Sequence, residues 1–223
     1  LTPITLVGRM DAARTAPAVV AVVVTDGLSS HLEDHLVALG SQDYPNLRVL
    51  VVDYSASGSD TAERVHRVLR GAALHRVKRP TTYAAAANEG AALVTGAAFL
   101  LICRDHSAPS ADAVRVMVEE ALQANAGAVG PKLVSQADDR RLVSAGIAMD
   151  RFGDAIPNAD VGELDQGQHD STHFTFGLDG GFLRGQCTGG AAGLEYRQSV
   201  VTPRSKLEGV TMSFGKMNTL VDI

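Results

Sequence analysis

The stretch VVAVVVT, residues 19–25, carries no polar side chain before its last residue. Side chains along a strand point alternately to opposite faces, so a half-exposed strand alternates apolar with polar residues. This run does not alternate. Both of its faces must be buried, which is the condition of an inner strand in a parallel sheet covered by helices on each side. The pattern recurs in LRVLVVD (47–53), which ends in an aspartate, and in the strand expected over 97–103, whose apolar run stops at Arg104-Asp105-His106.

Helical patterns fill the intervals. Ser29 or Ser30 is placed to cap a helix running to about Leu39, with Leu32, Leu36 and Leu39 at helical spacing. Further helices are expected over 59–70, 83–94 and 110–125, a short strand over 74–79 and another over 126–134. Strand and helix in alternation with short links predict an α/β fold: a doubly wound, mostly parallel, Rossmann-like sheet with helices on both faces. The rhythm fades after about residue 135. A hairpin is expected over 141–153, an acidic loop over 158–172, and an irregular, β-rich, Gly-rich region from 173, with strand-like alternation in 209–223. The chain therefore divides into a lead-in (1–17), a main α/β domain (18–172) and an atypical C-terminal segment (173–223) serving the acceptor side or oligomerisation.

Composition narrows the partners. Of 223 residues, 45% are hydrophobic and 20% charged, enough for a substantial core, and the net charge of −5 is spread without a basic stripe, which argues against nucleic acid. Cys103 and Cys187 form no metal-type pair, and Cys103 at the end of an apolar run reads as a buried free thiol. A reducing, cytoplasmic setting is expected. Leu1 in place of Met suggests a trimmed chain, with any attachment to the inner face of a membrane lying in segments outside it.

In open α/β sheets ligands bind beyond the carboxyl ends of the strands. Three strand ends there are alike in character: Thr25-Asp26-Gly27, Asp53 with Ser55 and Ser57, and Arg104-Asp105-His106. One such aspartate fits a helix cap as well as a ligand contact; three on one edge favour a ligand site. Neither GxxxxGK(S/T) nor a GxGxxG after a strand is present, and TGGAAG (188–193) reads as a flexible loop. Phosphates bound at this edge would need another partner, and a divalent cation on a carboxylate supplies one. Two i, i+4 histidine pairs, in HLEDH (31–35) and HDSTH (169–173), have zinc-like spacing but not the H-E-x-x-H order. For His31 and His35 a solvated helix face is the favoured reading.

SQDYPNLRVLVVDYSASGSDTAE (41–63) resembles the stretch of family 2 glycosyltransferases, of the GT-A fold, that reads Q-x-Y-P and then V-V-D-x-(G/S)-S-x-D. YAAAANEG (83–90) is similar to that family's N-x-G helix start, and LLICRDHSAPSADAV (100–114) stands where the family keeps its D-x-D-type motif. VGPKL (129–133) and GELDQGQHD (162–170) are similar to its actinobacterial branch. The resemblance spans roughly residues 18–172.

It implies transfer of a sugar, of hexosyl type, from a nucleotide-diphosphate donor to a saccharide or lipid-linked acceptor hydroxyl. Inversion, metal dependence and a place in cell-envelope polysaccharide synthesis come with it. The nucleotide-sugar set it implies is Thr25, Asp26, Gly27, Asp53, Ser55, Tyr83, Asn88, Arg104 and Asp105, with Mn2+ or Mg2+ on Asp105 and His106. Two departures stand out. His106 occupies the place of a second acid, which favours Mn2+ over oxygen-seeking Mg2+. In LDGGFLRGQ (178–186) Leu183 replaces the acid expected after G-G-F, leaving Asp179 and Glu195 as weak candidates for the catalytic base. The alternative is a degenerate GT-A-like domain kept for binding or assembly, a homodimer through the C-terminal segment included.

Overall fold

A computed structural model describes residues 16–55, 60–78, 81–126, 128–149, 151 and 155–170, and the backbone of 182–185 and 212–221. Strands β1 (Val19–Thr25), β2 (Leu47–Asp53), β3 (Ala73–Arg76) and β4 (Phe99–Arg104) form the parallel core in the order β3-β2-β1-β4. They alternate with α1 (Leu32–Gly40), α2 (Thr61–Val68) and α3 (Tyr83–Leu93). After β4 come β5 (Ser107–Pro109), α4 (Ala113–Gln123), β6 (Ala128–Ser135), β7 (Leu142–Ser144), β8 (Ile147–Met149) and β9 (Ala155–Pro157).

The non-alternating first strand behaves as its composition requires. Val19, Ala21 and Val23 pack into one buried cluster with Leu32 and Leu36 of α1 and Val114, Met117 and Val118 of α4. Val20, Val22 and Val24 pack into the other, with Tyr83, Ala86 and Ala87 of α3. Each buried valine is worth about 1.5–3 kcal/mol of removed apolar surface at most, so this strand anchors both layers. Gly90 lets α3 approach the sheet: a Cβ there would lie 2.5 Å from Val52 Cγ2 and 2.9 Å from Val22 Cγ1.

Much of the 41–63 stretch is scaffold. The Gln42 amide donates to the carbonyls of Ala38 and Ser110, and its oxygen accepts from Val114 N–H at 2.9 Å, joining the end of α1 to the start of α4. That side chain, rather than Ser110 or Asp112, satisfies the first turn of α4. Tyr44 Oη donates to the Pro17 carbonyl at 2.6 Å.

The expected hairpin over 141–153 is replaced by two separate pairings. β7 pairs with β6 and β8 with β9. Between β7 and β8 Gly146, at φ 79°, turns the chain, and Asn158 holds the turn through the Ala145 and Gly146 carbonyls. The acidic loop is tied down rather than free: buried Lys132 of β6 donates to Asp165 at 2.7 and 2.9 Å and to Asp170 at 2.6 Å.

Strands β10 (Phe182–Gly185) and β11 (Met212–Val221) extend the sheet, β10 between β4 and β6 and β11 beside β6. β11 falls within 209–223, where a strand is expected. Over Thr219–Val221 its other edge pairs with β5. Among the described residues no helix is long and apolar enough to cross a membrane.

Candidate functional site

From β1 the chain steps outward to β2 and β3, then returns to lay β4 on the other side of β1. The strand order reverses between β1 and β4, and a crevice opens at such a point beyond the strand ends. A cavity of about 300 Å³ lies there, lined by Val24, Asp26, Leu28, Ser29, Tyr54, Tyr83, Arg104, Asp105 and His106.

Its floor is the turn after β4. Asp105 is buried, and Thr25 Oγ1 donates to Asp105 Oδ2 at 2.5 Å while accepting from Gly27 N–H at 2.9 Å. One hydroxyl thus ties the end of β1 to the carboxylate after β4. Burial pushes the Asp105 carboxyl above its ordinary value, against the lowering pull of the Thr25 bond, and the Asp26 charge pushes it further the same way. The Arg104 guanidinium lies over the Tyr83 ring, 4.3 Å from its centroid, so a cation is held against an aromatic wall. Burial also raises the Tyr54 phenol, with Asp26 adding to it.

The β1–α1 loop forms the rim. Asp26 Oδ1 accepts from Leu28 N–H at 2.9 Å, and Leu28 projects into solvent. Arg64 of α2 holds this loop through the carbonyls of Gly27 (3.1 Å) and Ser29 (2.6 Å) and a bidentate pair with Glu33 (2.8 and 2.6 Å). The Arg64 hydrogen bonds bring the Glu33 carboxyl down to about 2.

Of the residues expected here, Asp26, Tyr83, Arg104, Asp105 and His106 line the cavity. Thr25 and Gly27 stand behind the wall, in contact with Asp105 or with each other. Asp53 is buried beside Thr25 in the sheet register; its carboxylate accepts from Ser55 N–H at 2.9 Å and faces Arg76 Nε at 3.9 Å. Asn88 is exposed on α3, away from the lining. Asp179 and Glu195 lie outside the described residues, as do Cys187, His173 and Ser57.

Tyr54, Leu28 and Ser29 join the lining without having been expected. Tyr54 had a signal in its place directly after the second strand end; Arg64, more than thirty residues from the loop it holds, had none. His35 corrects the reading of a solvated histidine face, since it is 1% exposed and its ring is bonded on both sides.

Asp105 and His106 offer one carboxylate and one imidazole at the cavity, a mixed donor set suited to Mn2+. Among the described residues no group of three or more His, Cys, Asp or Glu converges as a metal cage. A cation held by this pair would have to complete its coordination with oxygens of a bound ligand, and Asp26 and Asp105 bring two carboxylates to the same cavity.

No protein-family model matches the chain, and no curated protein matches it. Among solved structures it is similar to TarS 1–349 of S. aureus, at 14% identity and a TM-score of 0.47 over 54% of this chain and 37% of that one. It is also similar to the mannosyltransferase PcManGT of Pyrobaculum calidifontis, solved with GDP-Man and Mn2+, at 26% identity and 0.47 over 53% and 36%. GalNAc-T7, solved with UDP, GalNAc and Mn2+, aligns over 93% of this chain and 43% of its own, with a TM-score of 0.68 and 11% identity. The chain has the GT-A fold. It spans between 36% and 43% of the length of these neighbours. Within the GT-A fold the cavity lies at the switch point of the parallel sheet, beyond β1 and β4.

Proposed function

We propose that this GT-A chain binds a nucleotide-sugar and acts as a family 2 glycosyltransferase of the actinobacterial type, inverting and metal-dependent. The observation that carries the reading is the cavity at the β1/β4 switch point, where Asp105, His106 and Arg104 meet two tyrosines. Acidic, cationic and aromatic groups on one cavity of about 300 Å³ match a donor with its cation: the acids the metal, the guanidinium the diphosphate, and the tyrosines the base or sugar ring. That GalNAc-T7 was solved with UDP, GalNAc and Mn2+ accords with it.

Arg104, steadied on the Tyr83 ring, pairs with a phosphate oxygen of the donor. Thr25 keeps the Asp105 carboxylate turned toward the cavity while Asp53, Ser55 and Asp26 form the nucleoside end. Asp105 and His106 would hold the divalent cation, which when bound neutralises charge on the leaving diphosphate. The acceptor is a saccharide or lipid-linked hydroxyl whose proton a carboxylate would take, with Asp179 and Glu195 the weak candidates in the sequence. The expected setting is the cytoplasm.

Calorimetric titration of the chain with UDP-, GDP- and dTDP-sugars, with and without Mn2+, tests this. One of them binds, and binding disappears on metal removal and in Asp105→Ala. A folded sample that binds none overturns it.

His106 and Leu183 favour a second reading, a GT-A domain retained for binding or assembly. His106→Asp separates the two: a weakened enzyme gains metal-dependent donor affinity, whereas a scaffold is unaffected.

A further inference from the structure

His35 is a fully buried titratable side chain that the proposed reaction does not use. It sits in α1, 1% exposed, between leucines 32, 36 and 39 that pack the helix into the core. Both ring nitrogens have partners. Nδ1 bonds the Ser107 carbonyl, and Nε2 lies 3.4 Å from Cys103 Sγ. A carbonyl only accepts, so Nδ1 carries the proton and Nε2 is left as an acceptor. Cys103 S–H completes the chain by donating to it; its other acceptor, the Val22 carbonyl, is farther at 3.9 Å. Burial keeps this thiol protonated by pushing it up.

The two partners have a particular place. Cys103 immediately precedes Arg104-Asp105-His106, and Ser107 immediately follows it. One rigid ring therefore bridges both ends of the turn that supplies three residues to the cavity. The ring's own position is fixed by the leucine packing of α1 and by Gln42, which joins α1 to α4. The turn is also tied by Thr25 on the Asp105 carboxylate, by Ser29 Oγ in a long 3.4 Å bond to the Asp105 carbonyl, by Arg104 against the Tyr83 ring and by the strand pairing of Ser107 with Val221.

We propose that His35 is a positioning residue, clamping Cys103 to Ser107 from the core so that the turn between them presents Asp105 and His106 to the cavity. The clamp stands on its own geometry; its importance for donor binding rests on the nucleotide-sugar reading above.

Hydrogen exchange on the whole chain tests the clamp. In His35→Leu, amides 105–107 exchange at least about tenfold faster than in the parent while β1 and β2 keep parental protection. His35→Gln, whose amide can still donate to the Ser107 carbonyl, stays within about threefold of the parent. Unchanged exchange at 105–107, or a rise shared by the whole chain, overturns the proposal.

Titration with UDP and Mn2+ gives the second reading. A parent that binds, about tenfold loss in His35→Leu and recovery in His35→Gln support the positioning role. A parent that binds with His35→Leu equal to it overturns that role. A parent that binds nothing sinks the nucleotide-sugar reading instead, and exchange alone then decides the clamp. Should His35→Leu fail to fold, imidazole nitrogen resonances of the parent at neutral pH decide: a proton on Nδ1 and a bare Nε2 support the clamp, and the opposite tautomer or a charged ring overturns it.

Discussion

A neutral imidazole sits comfortably among leucines; a charged one does not. Burial lowers His35 from 6.5 to about 4, against the raising pull of its bond to Ser107, with the His106 charge lowering it further. The unfolded chain takes up a proton at the ordinary value while the folded chain refuses it. Stability is therefore full above pH 6.5 and falls as pH drops toward 4, by roughly 3 kcal/mol over that window. Urea unfolding at stepped pH should show that slope in the parent and a flattened one in His35→Gln. Glu33 behaves differently. Its carboxyl is lowered from 4.5 to about 2, so its contribution is present above pH 4.5 and is lost as pH falls through 2. The Glu33 side chain is 28% exposed, which reduces the pair with Arg64 to about 1–2 kcal/mol. Glu33→Gln should remove that lower window and leave the upper one intact.

The elements were legible wherever one periodicity dominated. The first strand announced its double burial by failing to alternate, and helices 32–40 and 113–123 are within a few residues of their leucine and valine patterns. The 141–153 stretch was read as one hairpin because local sequence says nothing of a better partner; β7 found β6 and β8 found β9. Gly90 was visible in a motif, but its reason, two valine methyls beneath it, belongs to the packed sheet. Gly90→Ala gains helix propensity of about 1 kcal/mol and meets overpacking of up to about 3 kcal/mol. A net loss is expected, read as a lower urea midpoint at unchanged slope. Gln42→Ala should cost about 1–3 kcal/mol, since it leaves the α4 N-terminus without its acceptor.

At the scale of the molecule, Lys132 joins the acidic loop to the sheet. Burial alone would lower its ammonium, but the hydrogen bonds of Asp165 and Asp170 outweigh that and leave it raised. Breaking a buried pair strands its partners, and Lys132→Met exposes two aspartates to that penalty. A loss of about 2–4 kcal/mol is expected, with exchange rising first across 160–170. A loop that keeps its protection in Lys132→Met would mean that its backbone bonds to Arg140 and Leu142 hold it instead.

The sequence by itself determined the α/β class, the parallel inner strands and the edge on which a ligand site would stand. All three follow from local periodicity and from the polar residues that end each apolar run. Only the tertiary structure decided which of those residues share a cavity. Asp105 meets Thr25 across eighty positions of chain, and His35 reaches Cys103 and Ser107 across sixty-eight and seventy-two. Contacts of that range have no period and leave no local trace. They exist because β4 returns to the far side of β1, and hydrogen bonding in the buried space between them selects the partners.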